Sequence, residues 1–158
     1  MNSLNYAGFW IDPNVQALPL TTRAIVAYCI SSPHTNSLGC FRLPLLYAAE
    51  DLNISCRTVL KAFGQAQQAG LIKFDSEIGW ILIPSFMQWH KTGNARQWLY
   101  RYTLLTEVPK RFKYYPDLID AILKYIPKGA SKPLLSLRQL AANPIKTTKP
   151  LNGGNPHA

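Results

Sequence analysis

The stretch from Ile54 to Ile83 constrains this chain most, because several local signals in it point to one short supersecondary unit. Ser55 is a good helix N-cap, its side-chain oxygen suited to accept an orphan N–H of the first turn. Ile54 and Val59 stand at the two positions of a hydrophobic staple. Val59, Phe63 and Ala66 recur at i, i+4 and i+7 as one inward stripe, and Gly70 is placed to end the helix in a left-handed conformation. Leu71–Phe74 and Trp80–Ile83 then read as two strands, with Asp75-Ser76-Glu77-Ile78-Gly79 as the hairpin turn between them.

Upstream, Phe9-Trp10-Ile11-Asp12-Pro13 reads as an aromatic anchor followed by a turn. From Thr21 the pattern is helical, with Ala24, Ile25, Tyr28 and Cys29 as its apolar stripe. Pro33 ends that helix, since the residue before proline is pushed out of the α region. Cys40–Leu43 alternates as a short strand after a polar turn, and Pro44 suits the first position of a helix over Leu45–Leu52. That helix should turn Leu45, Leu46, Ala49 and Leu52 inward and leave Glu50 and Asp51 solvated, with Asn53 making the next turn. The order helix, strand, helix, helix, strand, wing, strand is that of a winged helix-turn-helix over residues 1–90.

Past Pro84, Asn94 can cap a helix to about Thr106, with Trp98, Leu99, Tyr102 and Leu105 as its apolar face. Pro109–Lys113 is a basic break, and Pro116 opens a helix to Ile126. Ser136 with Gln139 has the spacing of a capping box for a last short helix ending near Asn143-Pro144. The expected fold class is therefore α+β and mainly helical, a winged helix-turn-helix followed by a small basic helical extension. Residues 1–90 form the first unit, 91–143 the extension packed on or beside it, and 144–158 a tail with too little to bury to stay ordered.

Charge divides along the same boundary. Lys and Arg number 17 against 8 Asp and Glu, a formal net charge of +9. Residues 1–90 hold five of each sign, so the whole excess belongs to residues 91–158. A basic half attracts phosphate through counterion release, whatever the nucleic-acid sequence.

Other chemistries find little support. Cys29, Cys40 and Cys56 lack C-x-x-C pairing, so they read as buried or semi-buried free thiols and no metal is expected. His34 and His90 have no recognisable nucleophile or paired acid nearby in sequence, there is no Gly-rich phosphate loop, and no cofactor or catalytic set is expected. No apolar run approaches the ~18–20 residues of a membrane span, and Met1–Phe9 lacks the features of a signal peptide. The expected location is the cytoplasm, away from membranes.

The candidate contacts to DNA fall in two groups. On the outer face of the helix after Ser55 stand Arg57, Thr58, Lys61, Gln65 and Gln68, where Arg can pair with guanine and Gln with adenine. Lys73 by the wing and Lys91, Arg96, Arg101, Lys110, Arg111 and Lys113 in the extension would hold the backbone. The extension's bases are interleaved with Trp98, Tyr100, Tyr102, Phe112, Tyr114 and Tyr115, a pattern that suits single-stranded as well as double-stranded DNA. The same residues also describe two ordinary solvated helix faces. Asp75 and Glu77 would present an acidic wing, which disfavours phosphate and fits docking of a protein.

Phe9-Trp10-Ile11-Asp12, Ser32-Pro33-His34-Thr35-Asn36 with Gly39, Ala48-Ala49-Glu50-Asp51-Leu52, Ala69–Asp75 and Ile83-Pro84-Ser85-Phe86-Met87 together carry a family likeness. They resemble phage and prophage replication proteins that begin with a DnaD-like, or replisome-organiser, winged helix. The likeness covers roughly residues 9–90, with a weaker echo in Trp89-His90 and Asn94–Val108. It implies binding at a phage origin and recruitment of the host replication helicase or its loader. Apart from the likeness, a homodimer would suit a palindromic or repeated site. A small transcription regulator, or a module that docks a host protein such as a defence nuclease to inhibit it, is the alternative.

Overall fold

The computed structural model describes residues 7–127. It begins with two short helices, α1 (Ala7–Ile11) and α2 (Pro13–Gln16), where an anchor and turn were expected. Only Asp12 separates them. Its carboxylate accepts the Asn14 N–H at 2.8 Å, and Pro13 occupies a helical position that needs no N–H. Phe9 is buried, whereas Trp10 is exposed.

α3 (Leu20–Ser31) stops two residues before Pro33, with Ser32 already extended. It buries Thr22, Ile25, Val26, Cys29 and Ile30, so the helix is rolled away from the expected stripe and Ala24 is exposed. Val26 and Ile30 have more apolar area to remove from water than Ala24, which favours that roll.

β1 (Cys40–Arg42) leads through Pro44 into α4 (Leu45–Leu52), and Asn53 turns the chain in the left-handed region at φ 53°. In α4 it is Ala48 and Ala49 that are buried, while Leu46 stays 56% exposed, contrary to expectation. α5 (Cys56–Gln68) starts at Ser55, whose hydroxyl oxygen accepts the Thr58 N–H at 3.1 Å. The chain leaves the helix at Gly70 with φ +76°. β2 (Lys73–Asp75) and β3 (Trp80–Leu82) follow, and the antiparallel sheet has the order β1-β3-β2. The molecule is thus α+β and mainly helical, with one small antiparallel sheet.

The sheet has a core on each face, because alternate residues of a strand point to opposite sides. Phe41 and Ile81, paired across β1 and β3, belong to the cluster built by α3, α4 and α5, and Phe74 packs against it. Cys40 and Leu82, the next pair, face a second cluster with Trp80 at its edge. That cluster contains Met87, Trp98, Leu105, Phe112, Leu118 and Ile122, from α6 (Phe86–Trp89), α7 (Ala95–Glu107), α8 (Tyr115–Tyr125) and the loop between the last two. The extension therefore covers a sheet face that would otherwise meet water. Each large apolar side chain fully buried there is worth about 1.5–3 kcal/mol.

Two backbone positions hold this arrangement. Gly39 has φ +73°, and a Cβ there would overlap the Phe86 side chain, so the loop after α3 needs glycine to lie against α6. Asn94 caps α7, accepting the Arg96 N–H at 2.9 Å. The buried face of α7 is Trp98, Arg101, Leu104 and Leu105, with Leu99 exposed and Tyr102 only partly covered, so this helix too is rolled from the expected face. The Trp98 indole N–H donates to the Thr92 carbonyl at 2.9 Å and fixes that roll. The helix expected after Ser136 and the tail expected from residue 144 lie outside the described residues.

Candidate functional site

α5 is amphipathic, and its stripe of Val59, Ala62, Phe63 and Ala66 seats it on the core. The opposite side exposes Arg57, Leu60, Lys61, Gly64 and Gln68, which follow one another at helical spacing. Of the five expected base contacts, Arg57, Lys61 and Gln68 are on that open side. Thr58 is half-buried, and its hydroxyl sits 2.9 Å from that of the Ser55 cap. Gln65 departs further from expectation: its carbonyl oxygen accepts the hydroxyl of Thr22, a buried polar group on α3 that needs a partner.

The extension is likewise divided. Lys91, Arg96, Lys110, Arg111 and Lys113 are exposed. Arg101 is only 4% exposed, contrary to expectation. Its Nε donates to the Ser37 carbonyl at 2.9 Å and its Nη2 to the His90 carbonyl at 2.7 Å, while the guanidinium lies over the Trp98 ring. Position 101 falls one turn from both Trp98 and Leu104, which carries it to the buried face. Lys73 is also occupied, forming an ion pair with Asp117 of α8 and lying 5.6 Å above the Tyr114 ring.

The hairpin differs from an acidic wing in a way that changes the electrostatics. Asp75 is buried, not presented to solvent. One of its oxygens accepts the Glu77 N–H at 3.1 Å and the other accepts the Lys113 N–H at 3.0 Å. Only Glu77 of the pair is exposed. Next to this tether, the Gln67 side-chain amide donates to the Tyr114 hydroxyl at 3.2 Å, and its oxygen accepts the Phe74 N–H at 3.0 Å. Phe112, next to Lys113 in sequence and buried, pins the loop to the second core.

The consequence is spatial. The basic loop Lys110–Lys113 is docked on the hairpin at the C-terminal end of α5, although it is remote from α5 in sequence. At 1.5 Å per residue, Gln67 lies roughly 9 Å along the helix axis from Lys61 and roughly 15 Å from Arg57. The tether thus brings a base of the extension, Lys113, close to the hairpin and the last turn of α5.

No protein-family model, curated protein or solved structure matches this chain.

Other polar groups are held in structural contacts. Asp51, solvent-exposed as expected, accepts the Tyr28 hydroxyl at 2.5 Å and lies 2.9 Å from His34 Nε2. The Tyr28 bond, then the His34 bond, holds the Asp51 carboxyl below the usual range. His34 therefore does have a paired acid, and the set ties the end of α3 to α4. Burial pushes the Cys29 thiol up to about 12 and the Cys40 thiol up as well, whereas Cys56 is exposed at the start of α5. Among the described residues no group of His, Cys, Asp or Glu could hold a metal ion, and no helix is long and apolar enough to cross a membrane.

Sequence reasoning missed Leu60, Gly64 and Gln67 on α5, and Tyr114 and Asp75 as the loop's anchors. The first three were accessible through their spacing from Arg57. The anchors carried no one-dimensional signal.

Proposed function

We propose that this protein binds duplex DNA as a winged helix-turn-helix module of phage type, with α5 as the recognition helix. Arg57, Lys61 and Gln68 would reach base edges in the major groove, where Arg and Gln pair bidentately with guanine and adenine. The observation that carries this is the tether of Lys113 and Tyr114 to Asp75 and Gln67. It sets Lys110, Arg111 and Lys113 beside the hairpin, where they hold phosphate in place of the hairpin's own residues. The likeness of residues 9–90 to phage replication proteins supports a role in replication initiation, either binding at an origin or recruiting the helicase loader there.

Fluorescence anisotropy of the full chain with a labelled duplex, at ~50 and ~200 mM salt, tests it. Affinity should fall steeply with salt. Replacing Lys110, Arg111 and Lys113 with Ala should flatten the slope by about one for each phosphate no longer held. A duplex affinity indifferent to salt, or untouched by those substitutions, overturns the proposal.

Leu60 favours a second role. It is 51% exposed in the middle of the α5 face, next to Gly64, and an apolar side chain beside a small one is also how a helix docks on a protein. In that case the occupant would be a host protein. Leu60→Ser would then abolish its binding and leave the salt-dependent affinity for duplex unchanged.

A further inference from the structure

An open cleft of ≈1530 Å³ lies between α1, the C-terminal end of α3 with its following loop, and the α6–α7 segment. None of its lining residues belongs to α5 or to the Lys110–Lys113 loop, so it is separate from the face described above. Pockets for small molecules run to about 1,000 Å³, and this one is larger and open, which suits a length of polymer.

Its charge is one-sided. Lys91, Arg96 and Arg101 line it against a single acid, Asp12, whose carboxylate is already used in capping α2. The matching ligand is therefore an anion.

Three features narrow the anion. Arg96 and Tyr100 stand at i and i+4 on α7, and Tyr100 is 57% exposed, an open ring beside an open guanidinium. Gln97 adds an amide with donors and an acceptor for polar edges, whereas the Asn36 amide is bonded within its own loop to Cys40, Leu38 and Gly39. Arg101, buried beneath them, is held by its bonds to the Ser37 and His90 carbonyls and places a fixed positive charge under the cleft floor.

We propose that this cleft holds a single-stranded nucleic-acid segment, with a base stacked on Tyr100 and phosphates held by Lys91 and Arg96 over the fixed positive charge of Arg101. This adds an unpaired-strand site to the duplex-binding role proposed above. A protein that grips duplex on one face and a separated strand on another would stabilise locally opened DNA.

The test uses the full chain, a labelled thymine oligonucleotide of about 15 nucleotides, and a labelled duplex in parallel. Arg96→Ala with Tyr100→Ala should weaken the single-strand complex by about tenfold or more and leave the duplex complex within about twofold. Lys110→Ala with Arg111→Ala should do the reverse. Both positions in the cleft pair are exposed, so the variant should melt as the parent does. If the pair leaves single-strand affinity unchanged, or if the parent binds no oligonucleotide, the proposal is overturned. Binding of poly-glutamate in place of the oligonucleotide, lost in the same variant, also overturns it in favour of an acidic peptide. Single-strand binding that depends on Tyr100 while the duplex is never bound sustains the cleft and removes the α5 proposal instead.

Discussion

Asp75 and Lys113, 38 residues apart, are joined by a hydrogen bond of 3.0 Å in which the buried carboxylate accepts the backbone N–H of the lysine. An acid on the hairpin thereby holds a basic loop in place. Its charge is spent inside the protein, while the lysine's ammonium remains outside.

Asp75→Asn tests this relationship, because the two views of Asp75 predict opposite signs. As a solvent-exposed acid near phosphate, its neutralisation would tighten DNA binding. As the loop's anchor, the amide keeps one acceptor and turns an NH2 toward the other N–H. We expect stability to fall by about 1–3 kcal/mol and duplex affinity to fall with it, despite the added net charge. Thermal melts and anisotropy on the same sample check both.

What could be read in the sequence was what is local. Ser55, Gly70 and Asn53 act through their own backbone, so α5 and its turns were legible residue by residue. Helix faces were less so. Leu46, Leu99 and Ala24 looked inward by pattern, and the packed helices rolled to bury larger or better-placed neighbours. Charged side chains misled most, since Arg101, Lys73 and Asp75 read as surface groups. Their partners at Ser37, His90, Asp117 and Lys113 come from distant segments, and no periodicity points to those.

Arg101→Ala should separate a structural guanidinium from the exposed bases around it. Two backbone carbonyls, of Ser37 and His90, lose their donor together. The expected loss is about 2–4 kcal/mol of stability, from hydrogen bonds to a charged group. Lys would not restore it, since one ammonium lacks the planar fork that serves both carbonyls. Arg96→Ala, five residues earlier on the exposed side, should leave the urea midpoint nearly unchanged. Equal melting of the two variants would mean that the buried pairing is not what holds the loop.

His90 gives the fold an acid sensitivity of its own. Burial first, and the charge of Arg101 second, hold the imidazole's pKa below its usual value. Its pKa is thus lower in the folded than in the unfolded chain, where it lies near ~6.5. Above that pH the ring is neutral in both states and makes no pH-dependent contribution. As pH falls below ~6.5 the unfolded state takes up the proton first, and stability drops until the folded-state pKa is passed. Urea titrations at pH ~7 and ~5 should show this loss in the parent and a smaller one in His90→Gln. The same loss in both would assign it to other groups.

Gly64 offers the sharpest separation of stability from binding. It sits inside α5 on the open side, and an added Cβ there would meet nothing within 4 Å. A glycine in a helix interior costs roughly 0.5–1 kcal/mol relative to alanine. Nothing within the described chain requires it. Gly64→Ala should therefore raise the melting temperature. If α5 is the helix that enters the groove, a methyl between Lys61 and Gln68 also pushes it off the DNA, so duplex affinity should fall as stability rises. Higher stability with unchanged affinity would remove α5 from the interface and leave the basic loop to bind through charge alone.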